Sequence, residues 1–445
     1  MKSWLTNFLS ILLVFVVVFT ISGCDLFGDD DDDNDESGNQ TLADEYFNHG
    51  TNLLQEALYL NINSGSDRVI LATLELDAVL LAFNRAIEHD SNHSGAHFCL
   101  GVIDAALVTN EERFKTLFSD LHSFEFLYRI FEFRYPIFDD TINGGSEKAI
   151  ITPFNLMHSI TNLDENEQII NYETQQEIRE YILPEIAKAI QHFELVWADE
   201  DFTFGITPRM QGDENFDIIE IDRTDIAAVL FALHSVNATL NHLISYDMQI
   251  GDINGVDLQN VLVQDSPFLT LYETGANDMG VALASWNEAV NYLENGLLLL
   301  ENETDNQQND LIKIDPYDLE LIEDIEQLSQ EIPRIKNLLT SQADFDFDLD
   351  GDGYEEETIT VSLNNFYSNP VENWKEMLPS YTINIDPESE FYYVTGYLVW
   401  DANSVDEWLF PDPTFNGLFP GMTNSRLVEL LLNGNEWDKY NDFEW

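Results

Sequence analysis

The chain has 445 residues, enough for two or three domains, and 44% hydrophobic with 12% aromatic residues are ample for a packed core. Against 18 Lys and Arg stand 83 Asp and Glu, a formal net charge of -65. That balance excludes nucleic acid as a partner, since its affinity comes from cationic side chains neutralising phosphates, and excludes docking on anionic headgroups through a basic patch.

In chain order, the first element is MKSWLTNFLSILLVFVVVFTISG, residues 1–23, with one lysine ahead of an apolar run from Phe8 to Ile21. The run has the length of a secretory signal and is short for a spanning helix. Ile21-Ser22-Gly23-Cys24 resembles the bacterial lipobox: an aliphatic residue, a small residue, Gly or Ala, then the lipidated cysteine. The resemblance implies a bacterial lipoprotein cleaved ahead of Cys24, with a diacylglyceryl group on its sulfur and palmitate-type chains holding the protein on a membrane. Each buried methylene contributes about 0.8 kcal/mol, so several chains anchor firmly.

Residues 24–41 read as an acidic flexible tether: 28–40 hold no apolar side chain, and Asp29 to Asp33 repel one another. The expected address is the cell envelope, at the outer membrane, facing the periplasm or the surface. Asp25 marks inner-membrane retention in some bacteria and not in others, so the choice of membrane stays open. The acid excess suits a salty medium, marine or halophilic, where counterions screen self-repulsion. With Cys24 acylated, Cys99 has no disulfide partner and reads as a buried small hydrophobe.

Residues 42–340 read as an α-helical body. Apolar residues recur at three and four in segments such as VILATLELDAVLLAFNRAI, EIREYILPEIAKAIQHFELVW and DIAAVLFALHSVNATLNHLI, and polar turns without a strand run separate them. Asp222-Arg223-Thr224-Asp225 reads as a helix start. Val79-x3-Phe83-x2-Ala86, the turn at Asp90-Ser91-Asn92 and then Leu100-Gly101 resemble the join between two tetratricopeptide repeats, with Tyr46-x2-His49-Gly50-x2-Leu53 as a degenerate first helix. Ser91 replaces the usual proline, and His97 and Asp104 replace large aromatics. The resemblance covers residues 43–108 and implies a mostly α, helical-repeat or bundle body.

No catalytic motif is present: no H-E-x-x-H, no G-x-S-x-G, no Walker loop, no G-x-G-x-x-G. His89, His93 and His97 would align on one continuous helix, but the turn at Asp90 breaks that row, and His234 and His242 lie too far apart to chelate alone. Core or turn histidines are the expectation.

Residues 341–445 read as a small α+β appendage. ADFDFDLDGDGYEEE within it resembles an EF-hand-type calcium loop spanning residues 344–357. Calcium takes six to eight hard oxygens around a tight turn, with carboxylates at alternate positions and glycine at the sixth. Asp348, Asp350 and Asp352 with Gly353 fit one register; Asp346, Asp348 and Asp350 with Gly351 fit another, which puts Glu357 at the twelfth position. Glu356 or Glu357 would have to swing in for the first register, and TITVSL after the loop reads as a strand rather than a helix. The resemblance implies a structural Ca2+. Beyond it, YTINI and FYYVTGYLVW predict a small hairpin, and a cap at Thr423 or Asn424 opens a short helix. Trp400, Trp408, Phe410, Phe415 and Phe419 read as appendage packing.

The function that follows is non-catalytic: a lipid-anchored binding or assembly module whose helical-repeat surface takes another envelope protein. The alternative is a solute-capturing lipoprotein serving an envelope transporter.

Overall fold

A computed structural model describes residues 38–63, 76–110, 172–211, 216–248, 256–257, 265–302, 311–312, 319–347, 357–384, 394–395, 397–400 and 407–433. Within them the chain is mostly α with a small α+β part. Helix α1 spans Gly38–Asn63, α2 Asp77–His89 and α3 Ser94–Asn110. Helix α4, Tyr172–Glu177, runs through a π turn at Ile178–Ile182 into α5, Leu183–Trp197. Then follow α6 (Arg223–Leu243), α7 (Gly275–Asn302) and α8 (Leu319–Thr340).

Local chemistry sets these boundaries. Asp222 opens α6 by accepting from the amides of Thr224 and Asp225 at 2.6 and 3.2 Å, and Asp225 returns the bond to the Asp222 amide at 3.0 Å. Two of the helix's orphan donors are thereby satisfied. Between α2 and α3, Asp90 accepts from the Asn92 amide at 3.0 Å, an Asx turn that stops the first helix. The π turn has its cause in Pro184, which offers no N–H to the carbonyl of Glu180, so the helix widens there.

Among the described helices, each packs chiefly on its neighbours in the chain: α1 on α2, α2 on α3, α3 on α5, α5 on α6, α6 on α7 and α7 on α8. Among the described residues the helices of the body thus form three pairs, α1/α2, α3/α5 and α6/α7, joined by nearest-neighbour interfaces. The first two pairs share one contact. A methyl placed on Gly50 of α1 would lie 2.8 Å from Phe83 of α2, and one placed on Gly101 of α3 would lie 3.0 Å from Phe193 of α5. Both rings are buried, so the glycine is what lets the two backbones approach.

The aromatic residue sits in a repeated local pattern on the second helix. Val79, Phe83 and Ala86 form it on α2, Ala189, Phe193 and Val196 on α5, and Ala282, Trp286 and Ala289 on α7. All but half-buried Trp286 are buried. The third pair departs from the scheme: Trp286 donates its Nε1 to the Tyr367 hydroxyl at 3.1 Å, and the close glycine is Gly296 on α7, against Ala227 of α6.

The stretch from 42 to 340 is not free of strands, as the sequence reading expected. Strands β1 (Phe204–Ile206) and β2 (Ile219–Ile221) pair antiparallel after α5, and β3 (Val256–Asp257) pairs parallel with β7 (Val394–Thr395). Strands this short leave no period-two pattern to read. Beyond α8, β4 (Ala343–Phe347) pairs antiparallel with β5 (Glu357–Val361), and β6 (Tyr381–Asn384) with β8 (Tyr397–Trp400), the expected hairpin. Helices α9 (Leu363–Ser368) and α10 (Asn424–Asn433) complete this part, α10 capped by Thr423, whose hydroxyl accepts from the Arg426 amide at 3.3 Å.

The C-terminal part is built into the body. Helix α9 packs on α7 and α8. Lys375, buried, donates its ammonium to the Ser266 carbonyl at 2.7 Å, to the Ser266 hydroxyl at 3.3 Å and to the Phe268 carbonyl. Those bonds hold a turn in which Leu269 is left-handed, with φ 58°, a conformation that costs a leucine roughly 1–2 kcal/mol. Phe410 and Phe415 are buried, with ring centroids 6.0 Å apart, and Phe419 meets Phe415 edge-on, so these aromatics pack the appendage as expected.

Two substitutions test the helix-pair contact. Phe193→Ala should lower stability by about 3–5 kcal/mol through the cavity it leaves. Gly50→Leu should cost about 1–3 kcal/mol by forcing α1 off Phe83. Both are read as shifts of the urea midpoint at unchanged slope; a wild-type midpoint for Gly50→Leu would show the crossing to be loose.

Candidate functional site

The histidines expected to be core or turn residues separate into two clusters. His89 ends α2 and stacks on Tyr46, their centroids 5.5 Å apart. His93 lies in the turn, 3.2 Å from an Asp44 oxygen, and packs on Phe47. The row of three does not form. His97 instead turns toward α5, its Nδ1 2.8 Å from Nδ1 of His192 and its Nε2 3.0 Å from the Ser91 carbonyl.

This geometry fixes the protons. A carbonyl only accepts, so Nε2 of His97 carries a hydrogen, and in the neutral ring Nδ1 is then the acceptor. His192 must donate from its own Nδ1, which leaves its Nε2 bare toward Asp104 Oδ2, 3.7 Å away. Burial lowers the His97 pKa, and His93 lowers it further, while the Ser91 bond and Asp90 pull it back. Burial and then His97 bring His192 to about 4. Asp104 moves the other way, up to about 6, through burial and Glu185, with Lys188 opposing. The two imidazoles hold their protons in one direction of hydrogen bonding, from His192 to His97 to the Ser91 carbonyl.

The second cluster lies where α5, α6 and α7 meet. His234 of α6 is 6% exposed and stacks on Tyr292 of α7, centroids 5.5 Å apart and planes 17° apart. Neither ring nitrogen has a hydrogen-bond partner, and Nε2 points at Glu194 Oε1 of α5, 3.7 Å away. Trp197 meets Tyr292 edge-on at 5.6 Å, and the Arg223 guanidinium lies 4.3 Å over the Trp197 ring. Glu194 is 46% exposed along its side chain, and Glu288 is exposed at the rim. Burial raises the Glu194 pKa and Glu288 raises it further. Burial, then both glutamates, push the Tyr292 phenol up to about 12. Burial lowers His234, with Glu288 opposing. The cluster therefore joins the Glu194 carboxylate, an aromatic face and a buried imidazole, with Glu288 one helical turn before Tyr292 on α7.

His242, further along α6, is a core residue: its Nδ1 lies 3.3 Å from the Tyr367 hydroxyl, and burial brings its pKa to about 4. Cys99 is buried and free, and burial pushes its thiol far up, so it is inert.

Of the residues expected to carry lipid or metal, Cys24, Asp348, Asp350, Asp352 and Glu356 lie outside the described residues. Asp346 lies in β4 and Glu357 opens β5, where the register pairs Asp346 with Thr358 and Phe347 with Glu357. The two therefore belong to different cross-strand pairs. Among the described residues, no group of three or more His, Cys, Asp or Glu is arranged to hold a metal ion. Sequence reasoning missed His192, Asp104, Glu194, Glu288 and Tyr292. The signal available was the second and third copies of the small-aromatic-small pattern, which assign Phe193 and Val196 to the core and leave Glu194 and Trp197 beside it. No family model matches the chain, and no curated protein or solved structure matches it.

The histidines give stability a defined pH dependence. A group lowered on folding binds its proton more tightly when unfolded, so stability is complete above the unfolded value and lost as pH falls toward the folded one. For His242 that window runs from 6.5 down to about 4. Asp104, raised from 3.8 to about 6, acts with the opposite sign over nearly the same range and offsets His192. His242→Gln should remove about 3 kcal/mol of the stability difference between pH 7 and pH 4. Chemical denaturation of both proteins across that range checks it, and parallel curves would refute the assignment.

Proposed function

We infer that the protein is a lipid-anchored, non-catalytic binding or assembly module of the bacterial cell envelope. The observation that carries this reading is the row of helix pairs, because stacked pairs build an extended surface for another macromolecule and need no chemistry of their own. The glycine–aromatic crossing recurring at Gly50–Phe83 and Gly101–Phe193 supports the tetratricopeptide resemblance. The lipobox ending in Cys24 and the acidic tether after it supply the attachment and the standoff. With one sign of charge so dominant, the expected partner is another envelope protein presenting cationic groups. A solute-capturing lipoprotein is the second reading, favoured by the carboxylates and aromatic rings gathered on α5 and α7.

The structural Ca2+ belongs to this reading. The β4–β5 ladder brings Phe347 and Glu357 together, so residues 348–356 connect two paired strands. The register starting at Asp348 keeps its three aspartates within that connection, and we favour it: Asp348, Asp350 and Asp352 would hold the ion, with Glu356 or Glu357 completing the shell. Carboxylates crowded into so short a connection repel until a cation neutralises them.

Cys24→Ser should release the protein from membranes as an uncleaved precursor, and photocrosslinking in envelopes should trap a protein partner on the wild type. Unchanged fractionation with no fatty acid label would sink the anchor, and no adduct from probes along α1, α3 and α6 would sink the assembly reading.

Calorimetry tests the calcium site. The full chain should take up one Ca2+ at about 10⁻⁴–10⁻³ M, with Mg2+ substituting poorly and Asp350→Ala abolishing the heat. Absence of calcium heat in the wild type reduces the segment to an acidic turn.

A further inference from the structure

We propose that the junction of α5, α6 and α7 is a binding site for an alkylammonium group, taken up between the carboxylates of Glu194 and Glu288, over the ring of Tyr292 and against Nε2 of His234. This deepens the reading of the helix pairs as a binding surface, and it rests on that reading for its biological use.

Among the described residues, neither Glu194 nor Glu288 has a Lys or Arg partner; Glu194 lies 3.7 Å from the imidazole of His234. Arg223, whose guanidinium lies 4.3 Å over the Trp197 ring, is engaged there. The two glutamates raise each other's neighbours rather than being relieved: Glu288 raises Glu194, and both raise Tyr292. An incoming cation reverses each of these unfavourable interactions at once.

His234 is the independent observation. A ring 6% exposed with both nitrogens unpartnered leaves hydrogen-bonding capacity unused, which folded proteins rarely tolerate. In its neutral form one nitrogen accepts. Nε2 is the one directed at Glu194, at 3.7 Å, too long for a direct bond and suited to a donor that bridges the two. An ammonium has three donors and no acceptor. In the tautomer that leaves Nε2 bare, one donor for each carboxylate and one for that nitrogen would use all three, and the Tyr292 ring beside them favours the charge. A carboxylate or phosphate would meet repulsion on two sides, and a neutral sugar hydroxyl would leave the carboxylate crowding unrelieved.

The ammonium could come from a lysine side chain of a partner protein or from a free diamine. Isothermal titration of the full chain with Nα-acetyl-lysinamide and, separately, with cadaverine distinguishes the two sources. Binding of either at one site supports the proposal, and the tighter one names the source. Glu194→Gln and Glu288→Gln, both at exposed side chains, should each weaken binding roughly tenfold, while Glu45→Gln on α1 should leave it unchanged. The imidazole nitrogen resonance assigned to His234 should move on addition of amine. No binding in the wild type, or equal weakening by all three glutamate variants, overturns the proposal and leaves only diffuse attraction to an acidic surface. Failure of this titration leaves the helix-pair surface intact as a reading, and failure of the envelope crosslinking leaves the amine site intact.

Discussion

The body depends on how closely two helices can cross. Gly50 and Gly101 have no side chain at the point where α1 meets Phe83 and α3 meets Phe193, and the aromatic ring fills the space their side chains would have taken. Side chains with fixed volumes at each crossing leave little choice of angle or distance between helices. Because successive pairs meet mainly through neighbours, the geometry set at one crossing is handed to the next. The third pair shows what happens when the glycine shifts: Trp286 is no longer enclosed, and Tyr367 from the C-terminal part comes in to bond its indole nitrogen.

Much of this was legible in the sequence. The helical periodicity, the cap at Asp222, the turn at Asp90 and the hairpin from Tyr381 all follow from local rules, and local rules are what a single chain displays. The pattern around Phe83 was legible as well, but its copies around Phe193 and Trp286 went unread because Val196 and Trp286 blur the residue classes. The short strands escaped for a physical reason: β3 exists only because Val394 and Thr395 lie beside it, and nothing in two residues announces a partner so distant. The site residues escaped in the same way. His192 is meaningful beside His97, and Glu194 beside His234, and those pairings are made by packing between helices far apart in sequence.

Scarcity governs the electrostatics. With 18 Lys and Arg in the whole chain, several of the described ones serve inside the fold rather than in surface ion pairs, which contribute little. Arg179 donates to the Ile244 carbonyl at 3.0 Å and pairs with Asp278 at 2.9 Å, closing the C-terminal end of α6 where unsatisfied carbonyls gather. Arg334 covers Phe345 at 4.1 Å and bonds the Asp344 carbonyl, fixing β4 to α8. The interior histidines follow the same economy: kept neutral by burial, they add no charge that would need an answering carboxylate.

Lys375 gives the chain a direction of assembly. Its oxygen partners at Ser266 and Phe268 precede it by 109 and 107 residues. A chain emerging N-terminus first from the ribosome therefore presents the strained turn at Leu269 long before the ammonium that holds it. The α1/α2 pair waits for less, since Phe83 follows Gly50 on the next described helix, whereas Gly101 of α3 also waits for a distant partner, Phe193 of α5. The α1/α2 pair can close as it appears and α6 and α7 can pack directly on one another, whereas the turn ahead of α7 stays unlatched until Lys375 has been made. Lys375 thus acts as a bolt driven home well after the turn it holds, and a chain cut short before Lys375 would carry the left-handed turn at Leu269 with its fastening missing.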